Sequence, residues 1–122
     1  MRNLARIVAT GRAAFSVAYL AVPTRINESW LGETEPSAKS DLLGRSLAAR
    51  DLALSAGALA ALESEGGRPE LWFAAHAVSD LTDLASTVAI RDRLPKGGRS
   101  SAAAAGLSAL AAALVAAALV KS

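Results

Sequence analysis

The sequence predicts an all-α protein, an integral membrane four-helix bundle with up-down-up-down topology. Hydrophobic residues make up 52% of the 122 residues. They concentrate in four apolar stretches, at about residues 4–22, 41–62, 70–94 and 102–120. Each stretch is close to the roughly 20 residues that a helix needs to span a bilayer. The connections are short, as in antiparallel bundles, and the period-2 alternation of strands is absent.

Composition and charge exclude several kinds of protein. The chain has no cysteine, which excludes disulfides, thiol chemistry and cysteine-bound metals. Its formal net charge is only +2, and no basic stripe is interleaved with aromatic residues, so we expect no nucleic-acid partner. Arg12 interrupts the first apolar stretch, which argues against a signal peptide. No repeat or linker divides the chain, so residues 1–122 are predicted to form one domain.

The first predicted helix covers residues 4–22 and ends before Pro23. Proline disfavours helical geometry in the residue that precedes it. A polar connection follows at residues 24–39, with Trp30-Leu31 in its middle. An apolar pair at this place predicts a loop that returns to the membrane interface.

The second predicted helix covers residues 41–62 and has Ser37 or Ser40 as its N-cap. The turn after it is rich in glycine. Gly66 and Gly67 are the candidates for its C-cap, because glycine adopts the left-handed conformation at no steric cost.

The third predicted helix covers residues 70–94 and is opened by Pro69. After a second turn at residues 95–99, the fourth helix covers residues 102–120 and contains no charge. A soluble four-helix bundle is the alternative, but each of its helices would carry a charged solvent face. The fourth helix has none, which favours membrane spans.

A polar stripe lies inside the third apolar stretch. His76, Asp80 and Asp83 stand at i, i+4 and i+7, so they share one face of a helix. Lipid is a costly place for two carboxylates, and such residues face other protein or a cavity. The stripe therefore predicts a site in the interior of the bundle.

Five charged residues are predicted to lie at one depth near the middle of the membrane. At about 1.5 Å per residue, Asp51 and Asp80 both lie roughly 15 Å from the turn that joins the second and third helices. Arg50, Asp83 and Arg12 fall near the same level. Two arginines then face three carboxylates, which leaves one carboxylate to be protonated or to bind a cation.

This layer has a structural and a functional interpretation. Buried Arg–Asp pairs could simply fix the register of the helices, whereas ionisable residues inside a membrane are a functional hypothesis by default. In the functional interpretation Asp80, with His76 one turn away, lacks a full cationic partner and exchanges a proton. Asp51 stands beside Arg50, so Asp51→Asn is expected to destabilise the fold more than Asp80→Asn.

His76 has three interpretations. It could be a hydrogen-bonded packing residue, or it could pass a proton to or from Asp80. A metal site would use His76 with Asp80, Asp83 and Asp51, but one histidine with carboxylates is an undifferentiated ligand set. We therefore predict no metal.

A second stripe lies on the first helix. Arg12, Ser16 and Tyr19 have the i, i+4, i+7 spacing and could line a substrate cavity opposite the third helix. Tyr19 near a helix end could instead be an anchor at the membrane interface.

The sequence also resembles a known family. The resemblance lies in Gly11-Arg12, in Pro23, and in residues 30–32, 43–54 and 77–87. Together these resemble a family of small bacterial four-helix integral membrane proteins classed as a domain of unknown function. Its Arg-Asp and Asp-x-x-Asp signatures fall on Arg50, Asp51, Asp80 and Asp83. The resemblance implies a multi-pass protein of the bacterial inner membrane, and it supplies no activity.

Three functions fit these predictions. The first is a small membrane enzyme that takes a lipophilic substrate from the bilayer and uses the carboxylates as general acid and base. Isomerisation, cyclisation or epoxide opening would suit it, since none of them needs a cofactor. The second is a proton-coupled carrier or an ion-conducting channel. It requires a homo-oligomer, because four short spans leave little room for alternating access. The third is a non-catalytic accessory subunit with structural ion pairs.

The distribution of basic residues predicts an orientation. One side, at residues 24–39 and 91–99, carries six of them: Arg25, Lys39, Arg91, Arg93, Lys96 and Arg99. The other side carries four: Arg2, Arg6, Arg68 and Lys121. Because basic loops stay in the cytoplasm, both termini are expected outside it. Cysteine labelling should reach position 97 from the cytoplasm and position 66 from outside. Labelling of position 66 only from the cytoplasmic side would reverse the assignment.

Overall fold

The computed structural model describes residues 1–31, 37–94 and 99–122. Within these ranges the structure is all-α and contains no strand, which confirms the predicted fold class at that level. The helices are α1 (Arg2–Ala21), α2 (Pro23–Leu31), α3 (Ala38–Glu63), α4 (Pro69–Ala89) and α5 (Arg99–Val120), with a 3-10 turn at Arg91–Arg93. Four of them are long, and α2 is a short helix between α1 and α3.

Two predicted boundaries are wrong. The connection at residues 24–39 was predicted as a loop, but Pro23 opens the helix α2, since proline suits the first turn of a helix. The third predicted helix ends at Ala89 instead of residue 94, because the chain tightens there into the 3-10 turn. Other predictions rest on the side chains of Trp30 and Leu31, on residues 32–36 and on residues 95–98, which lie outside the described part of the chain.

Two of the predicted helix ends are confirmed and one is not. The Ser37 hydroxyl accepts a hydrogen bond from the Ser40 backbone N–H at 3.0 Å, so Ser37 is the N-cap of α3. Pro69 is the first residue of α4. The C-cap of α3 is Ser64, which has an ordinary extended backbone, and neither of the predicted glycines takes this place.

The two glycines instead shape the turn between α3 and α4. Gly66 has φ +71°, a conformation that side chains disfavour, and a Cβ on Gly67 would overlap the carbonyl oxygen of Ala61. A cysteine at position 66 would therefore strain the turn. Glu65 and the exposed Asp92 are the better labelling sites at the two ends of the bundle.

The long helices run antiparallel in chain order. At one end of the bundle the Arg2 guanidinium donates to the carbonyl of Leu62, and at the other end the Tyr19 ring lies against Gly44. These contacts fix α1 antiparallel to α3 along its whole length. α4 packs most extensively on α5, so the bundle consists of two closely packed helix pairs, α1 with α3 and α4 with α5.

The apolar core occupies one end of the bundle. It lies where α1 and α4 begin and where α3 and α5 end. The buried members of this cluster are Ala5, Ala9, Ala58, Leu62, Phe73, Val115 and Leu119. Most of them are small, so the helices approach one another closely there. The opposite end, beside α2, has fewer buried apolar side chains and is the end where a cavity opens.

Large apolar side chains cover the outside of the long helices. Several are more than half exposed: Ile7, Leu42, Leu43, Val78, Leu107 and Leu114. Among the described helices, α1 and α5 are long and apolar enough to cross a membrane, and only 22% of each apolar window is buried inside the protein. α3 and α4 are not among these candidate spans. Each carries two charges in its middle, Arg50 and Asp51 in α3 and Asp80 and Asp83 in α4. The middle of α1 carries only Arg12, and that of α5 carries none. Four membrane spans therefore stay a prediction.

The contact between Tyr19 and Gly44 makes a test of the packing. A Cβ on Gly44 would lie 2.7 Å from Tyr19 Cε2, and the buried tyrosine cannot move away easily. We expect Gly44→Ala to destabilise the fold by about 1–3 kcal/mol, as overpacking does. Gly11→Ala is the matched control, since a Cβ there meets nothing within 4 Å. Thermal unfolding in detergent measures both variants, and equal melting temperatures would contradict the close contact.

Candidate functional site

Five charged side chains from three helices meet in the middle of the bundle. We call them the charge cluster: Arg12 of α1, Arg50 and Asp51 of α3, and Asp80 and Asp83 of α4. The predicted layer thus exists as one connected set of ion pairs. Each helix supplies its members from its central turns, so the cluster joins the two helix pairs across the bundle axis.

Arg12 and Asp80 form a bidentate pair between α1 and α4. Arg12 Nη1 donates to Asp80 Oδ2 and Nη2 donates to Oδ1, both at 2.9 Å. Asp80 is only 4% exposed. Arg12 Nη1 also donates to the Ser108 hydroxyl of α5, so one guanidinium links three helices. Sequence reasoning missed Ser108, which is one of several small residues on an uncharged helix.

Arg50 and Asp83 form the corresponding pair between α3 and α4. Arg50 Nη1 donates to Asp83 Oδ1 at 3.2 Å, and Nη2 donates to Oδ2 at 2.7 Å. This pair is more open, since the two side chains are 34% and 29% exposed. Each carboxylate of α4 is therefore bound by an arginine through two hydrogen bonds, the geometry of a bidentate, charge-assisted pair.

Asp51 lies between the two clamped pairs. Its Oδ1 accepts from Arg50 Nε at 3.2 Å and from Nη2 at 3.1 Å. Its Oδ2 lies 3.6 Å from Arg12 Nη2, which is an ion-pair distance but too long for a hydrogen bond. Among the described residues, Asp51 is thus the one carboxylate of the cluster that contacts both arginines and forms a bidentate pair with neither.

The geometry corrects the predicted roles of the aspartates. Asp80 was expected to lack a full cationic partner, but it has the most buried bidentate partner in the cluster. Asp51 was expected to be the balanced carboxylate beside Arg50. The sequence could not show this, because neighbours in the chain point about 100° apart on a helix and partner choice depends on how the helices face one another.

His76 faces Ser55 of α3. Its ring is fully buried, with 0% exposure, and Nε2 lies 3.4 Å from the Ser55 hydroxyl. The described structure contains no hydrogen bond between His76 and Asp80. The ring packs next to Phe73, with centroids 6.3 Å apart. This placement supports the interpretation as a packing residue.

The residues of the second predicted stripe, Arg12, Ser16 and Tyr19, have different partners in the structure. Ser16 donates to the Arg12 carbonyl at 2.9 Å, and Tyr19 is buried and donates to Asn27 Oδ1 of α2. Tyr19 is therefore held inside the protein, so the expectation of an interface anchor is wrong. Asn27, 1% exposed, donates in turn to Asp41 of α3 at 3.2 Å. This second polar group, which sequence reasoning missed, fastens α2 to the bundle.

Two cavities open onto the charge cluster. The larger has a volume of about 550 Å³ and extends from Asp51 and Asp83 towards the α2 end. The smaller, of about 280 Å³, lies beside Arg12 and Asp80. Four residues line both cavities: Phe15, Asp51, Asp83 and Ala105. Asp51 therefore borders both cavities.

The larger cavity is mainly apolar. Its walls include Leu43, Leu47, Ala48, Ile90 and Leu94, with Ser16 and Tyr19 among the polar lining residues. An apolar space of roughly 300–1,000 Å³ that ends on a few polar groups is typical of small-molecule sites. All the residues predicted for the site, apart from His76, thus line one of the two cavities.

Comparison with protein families, with curated proteins and with solved structures gave no match. The resemblance to small bacterial four-helix membrane proteins therefore stays a prediction. No group of three His, Cys, Asp or Glu side chains that could hold a metal ion occurs in residues 1–31, 37–94 and 99–122.

The corrected pairing reverses the expected order of two mutant stabilities. Asp80→Asn leaves the buried Arg12 without its bidentate partner, and losing one partner of a buried pair costs about 3–5 kcal/mol. Asp51→Asn removes the surplus charge and keeps an acceptor for Arg50, so it should cost about 1 kcal/mol. Thermal unfolding of both variants in detergent measures this order.

Glu63→Gln is the control for this comparison. It breaks the exposed Arg6–Glu63 pair, and the loss of an exposed ion pair should change the melting temperature little. An Asp80→Asn protein that melts with the wild type, or above Asp51→Asn, would contradict the assigned pairing.

Proposed function

We propose that this chain is a small membrane protein with four spans, in which a lipophilic molecule enters the larger cavity from the bilayer and meets an acid–base group at Asp51. Its reaction class would be a proton-transfer reaction without a cofactor, such as isomerisation, cyclisation or epoxide opening. The observation that carries the proposal is the mainly apolar cavity that ends on the unclamped carboxylate.

The placement of the charges supports the membrane setting. Apart from the charge cluster, the middle of each long helix contains no Lys, Arg, Asp or Glu. The remaining charges lie towards the helix ends and in the connections, as expected where water and headgroups begin. The charges of the cluster face the interior. There they pair with one another, which lowers the free-energy cost of placing charged groups inside a membrane protein. The apolar outer faces then contact lipid.

The hydroxyl groups of the larger cavity favour an apolar ligand. Ser16, Ser46 and Thr87 each donate to the carbonyl oxygen four residues earlier on their own helix, at 2.9, 3.0 and 2.8 Å. Their hydrogens are therefore used within the wall. The strong polar groups that remain for a ligand are Arg50, Asp51 and Asp83, all at one end. A molecule with an apolar body and one reactive polar or unsaturated end fits this arrangement.

The chemistry follows from the unequal pairing of Asp51 and Asp83. Asp83 accepts two hydrogen bonds from Arg50, whereas Asp51 Oδ2 accepts no hydrogen bond in the described structure. A proton on Oδ2 makes Asp51 the general acid, and ionised Asp83 on the same cavity is the base. In an isomerisation Asp51 would give a proton to the substrate and Asp83 would remove another. Transfer of that proton from Asp83 back to Asp51 then restores the site.

A second candidate is a purely structural cluster. The observation that favours it is that every charge of the cluster has at least one partner of opposite sign. In that case the network only fixes the register of the helices, and none of its carboxylates needs to be accessible or protonated.

Dicyclohexylcarbodiimide tests the proposal directly. This neutral, lipophilic reagent modifies protonated carboxyl groups that it can reach from the membrane. We expect modification of Asp51 in preference to Asp80 and Asp83, mapped by mass spectrometry of the protein in lipid nanodiscs. Ser46→Phe should slow the reaction by tenfold or more because it fills the cavity. Ala49→Phe, on a residue that lines neither cavity, should leave the rate unchanged.

Two results would overturn the proposal. No modification of the cluster would favour the structural candidate, because the cavity would then hold no reachable protonated carboxyl group. Modification of Asp80 or Asp83 instead of Asp51 would reject Asp51 as the acid.

A further inference from the structure

The charge cluster does not balance. It contains two guanidinium groups and three carboxylates, so it carries one negative charge when all five are ionised. The buried His76 is the other titratable group of α4 near the cluster, and full burial favours its neutral form. α5 contributes the uncharged Ser108. One negative charge in an apolar interior has to be neutralised, either by a proton or by another cation.

The structure locates this surplus charge. Arg12 forms a bidentate pair with Asp80, and Arg50 forms one with Asp83, each through two hydrogen bonds. Arg50 also donates to Asp51, but only to its Oδ1, at 3.2 and 3.1 Å, and Asp51 Oδ2 has no closer cation than Arg12 Nη2 at 3.6 Å. The surplus therefore lies at Asp51, on the face that both cavities share.

The groups around Asp51 suit a cation with an apolar body. Asp83 lines both cavities with Asp51, so two carboxylates face the same space. The Phe15 ring lies at the same junction, and an aromatic face attracts cations, quaternary ammonium groups in particular. The walls of the larger cavity, Leu43, Leu47 and Ile90 among them, are apolar.

We infer that the two cavities form a binding site for a lipophilic monovalent cation, an amine or a quaternary onium ion, whose charge takes the place of the proton at Asp51. The inference rests on the proposed function, since it uses the same cavity and the same carboxyl group. A bound cation displaces the proton that the reaction needs, so such a ligand is an inhibitor of the proposed reaction and not its substrate. A cation at this place balances the cluster to zero net charge, whereas a neutral ligand leaves the proton on Asp51. Arg12 and Arg50 also line the cavities, but the cluster as a whole carries one surplus negative charge, so an anion would add to the charge that has to be neutralised.

The site predicts competition between the cation and a proton. The charged groups facing Asp51 are Arg12 from α1, Arg50 from α3, and Asp80 and Asp83 from α4, with His76 one turn further along α4. The four charged neighbours form clamped pairs, so a single protonation at Asp51 dominates. Affinity for the cation should rise with pH, by at most tenfold per pH unit, and then level off.

Tetraphenylphosphonium and tetraphenylborate, ions of equal shape and opposite charge, make a matched test. The wild-type protein in nanodiscs is treated with dicyclohexylcarbodiimide in the presence of each ion at several pH values. Tetraphenylphosphonium should slow the modification of Asp51 by at least tenfold, and more at higher pH. Tetraphenylborate should have no such effect.

Equilibrium dialysis of the phosphonium ion should show binding to wild type and to Asp92→Asn, a matched charge change at an exposed site, and at least tenfold weaker binding to Asp51→Asn.

The outcomes separate this inference from the proposed function. If Asp51 is modified but both ions protect it equally, or neither does, the cavity and its acid remain and the preference for cations is wrong. If the reagent does not modify Asp51, the proposed function fails first. Should Asp51→Asn fail to fold, the pH dependence of protection in the wild-type protein decides the question, and protection independent of pH rejects the exchange of proton and cation.

Discussion

The paired arginines and aspartates in the middle of the bundle are the constraint on which the rest of this structure depends. Two guanidinium groups hold α1, α3 and α4 at fixed heights, and Ser108 adds α5 to the same network. Apolar packing alone would set these heights poorly, because the core consists largely of alanine and a row of small side chains can slide. Hydrogen-bonded charge pairs are directional, and a shift by one helical turn would leave several charges unpaired in the interior. The network thus selects one register at the cost of withdrawing five charges wholly or partly from solvent.

The two ends of the bundle differ because of where the large side chains lie. At the end with the apolar core, Phe73 and Leu62 fill the space between closely approaching helices. At the other end Gly44 lets the Tyr19 ring approach α3 closely, and hydrogen bonds from Tyr19 to Asn27 and from Asn27 to Asp41 fasten α2 to α1 and α3. The helices there are held by polar contacts at their ends while the space below them is left open. The cavity is the result, and it reaches down to the charge cluster.

The same network gives the site its chemical asymmetry. Asp80 and Asp83 are chemically alike, three residues apart on one helix, and each is matched to its own arginine. Asp51 is the carboxylate that is left without a bidentate arginine partner. An unmatched carboxylate beside two satisfied pairs is the group whose protonation changes most easily with its surroundings, and here it borders both cavities. A network that stabilises the fold and a carboxylate that exchanges a proton or a cation are therefore compatible properties of one cluster.

The sequence by itself determined the four long helices, the common level of the charges along the bundle and the unequal number of charges of each sign. Those follow from local properties: apolar length, the caps at Ser37 and Pro69, and a constant rise per residue that places Arg12, Asp51 and Asp80 at one level. Only the tertiary structure decided which carboxylate has no arginine of its own. Partner choice depends on how each helix is rotated about its axis, and that rotation is set by contacts between residues far apart in the chain. For the same reason the sequence did not reveal Ser108, the partnership of His76 with Ser55, or the fastening of α2 through Asn27, each of which is a contact between different helices.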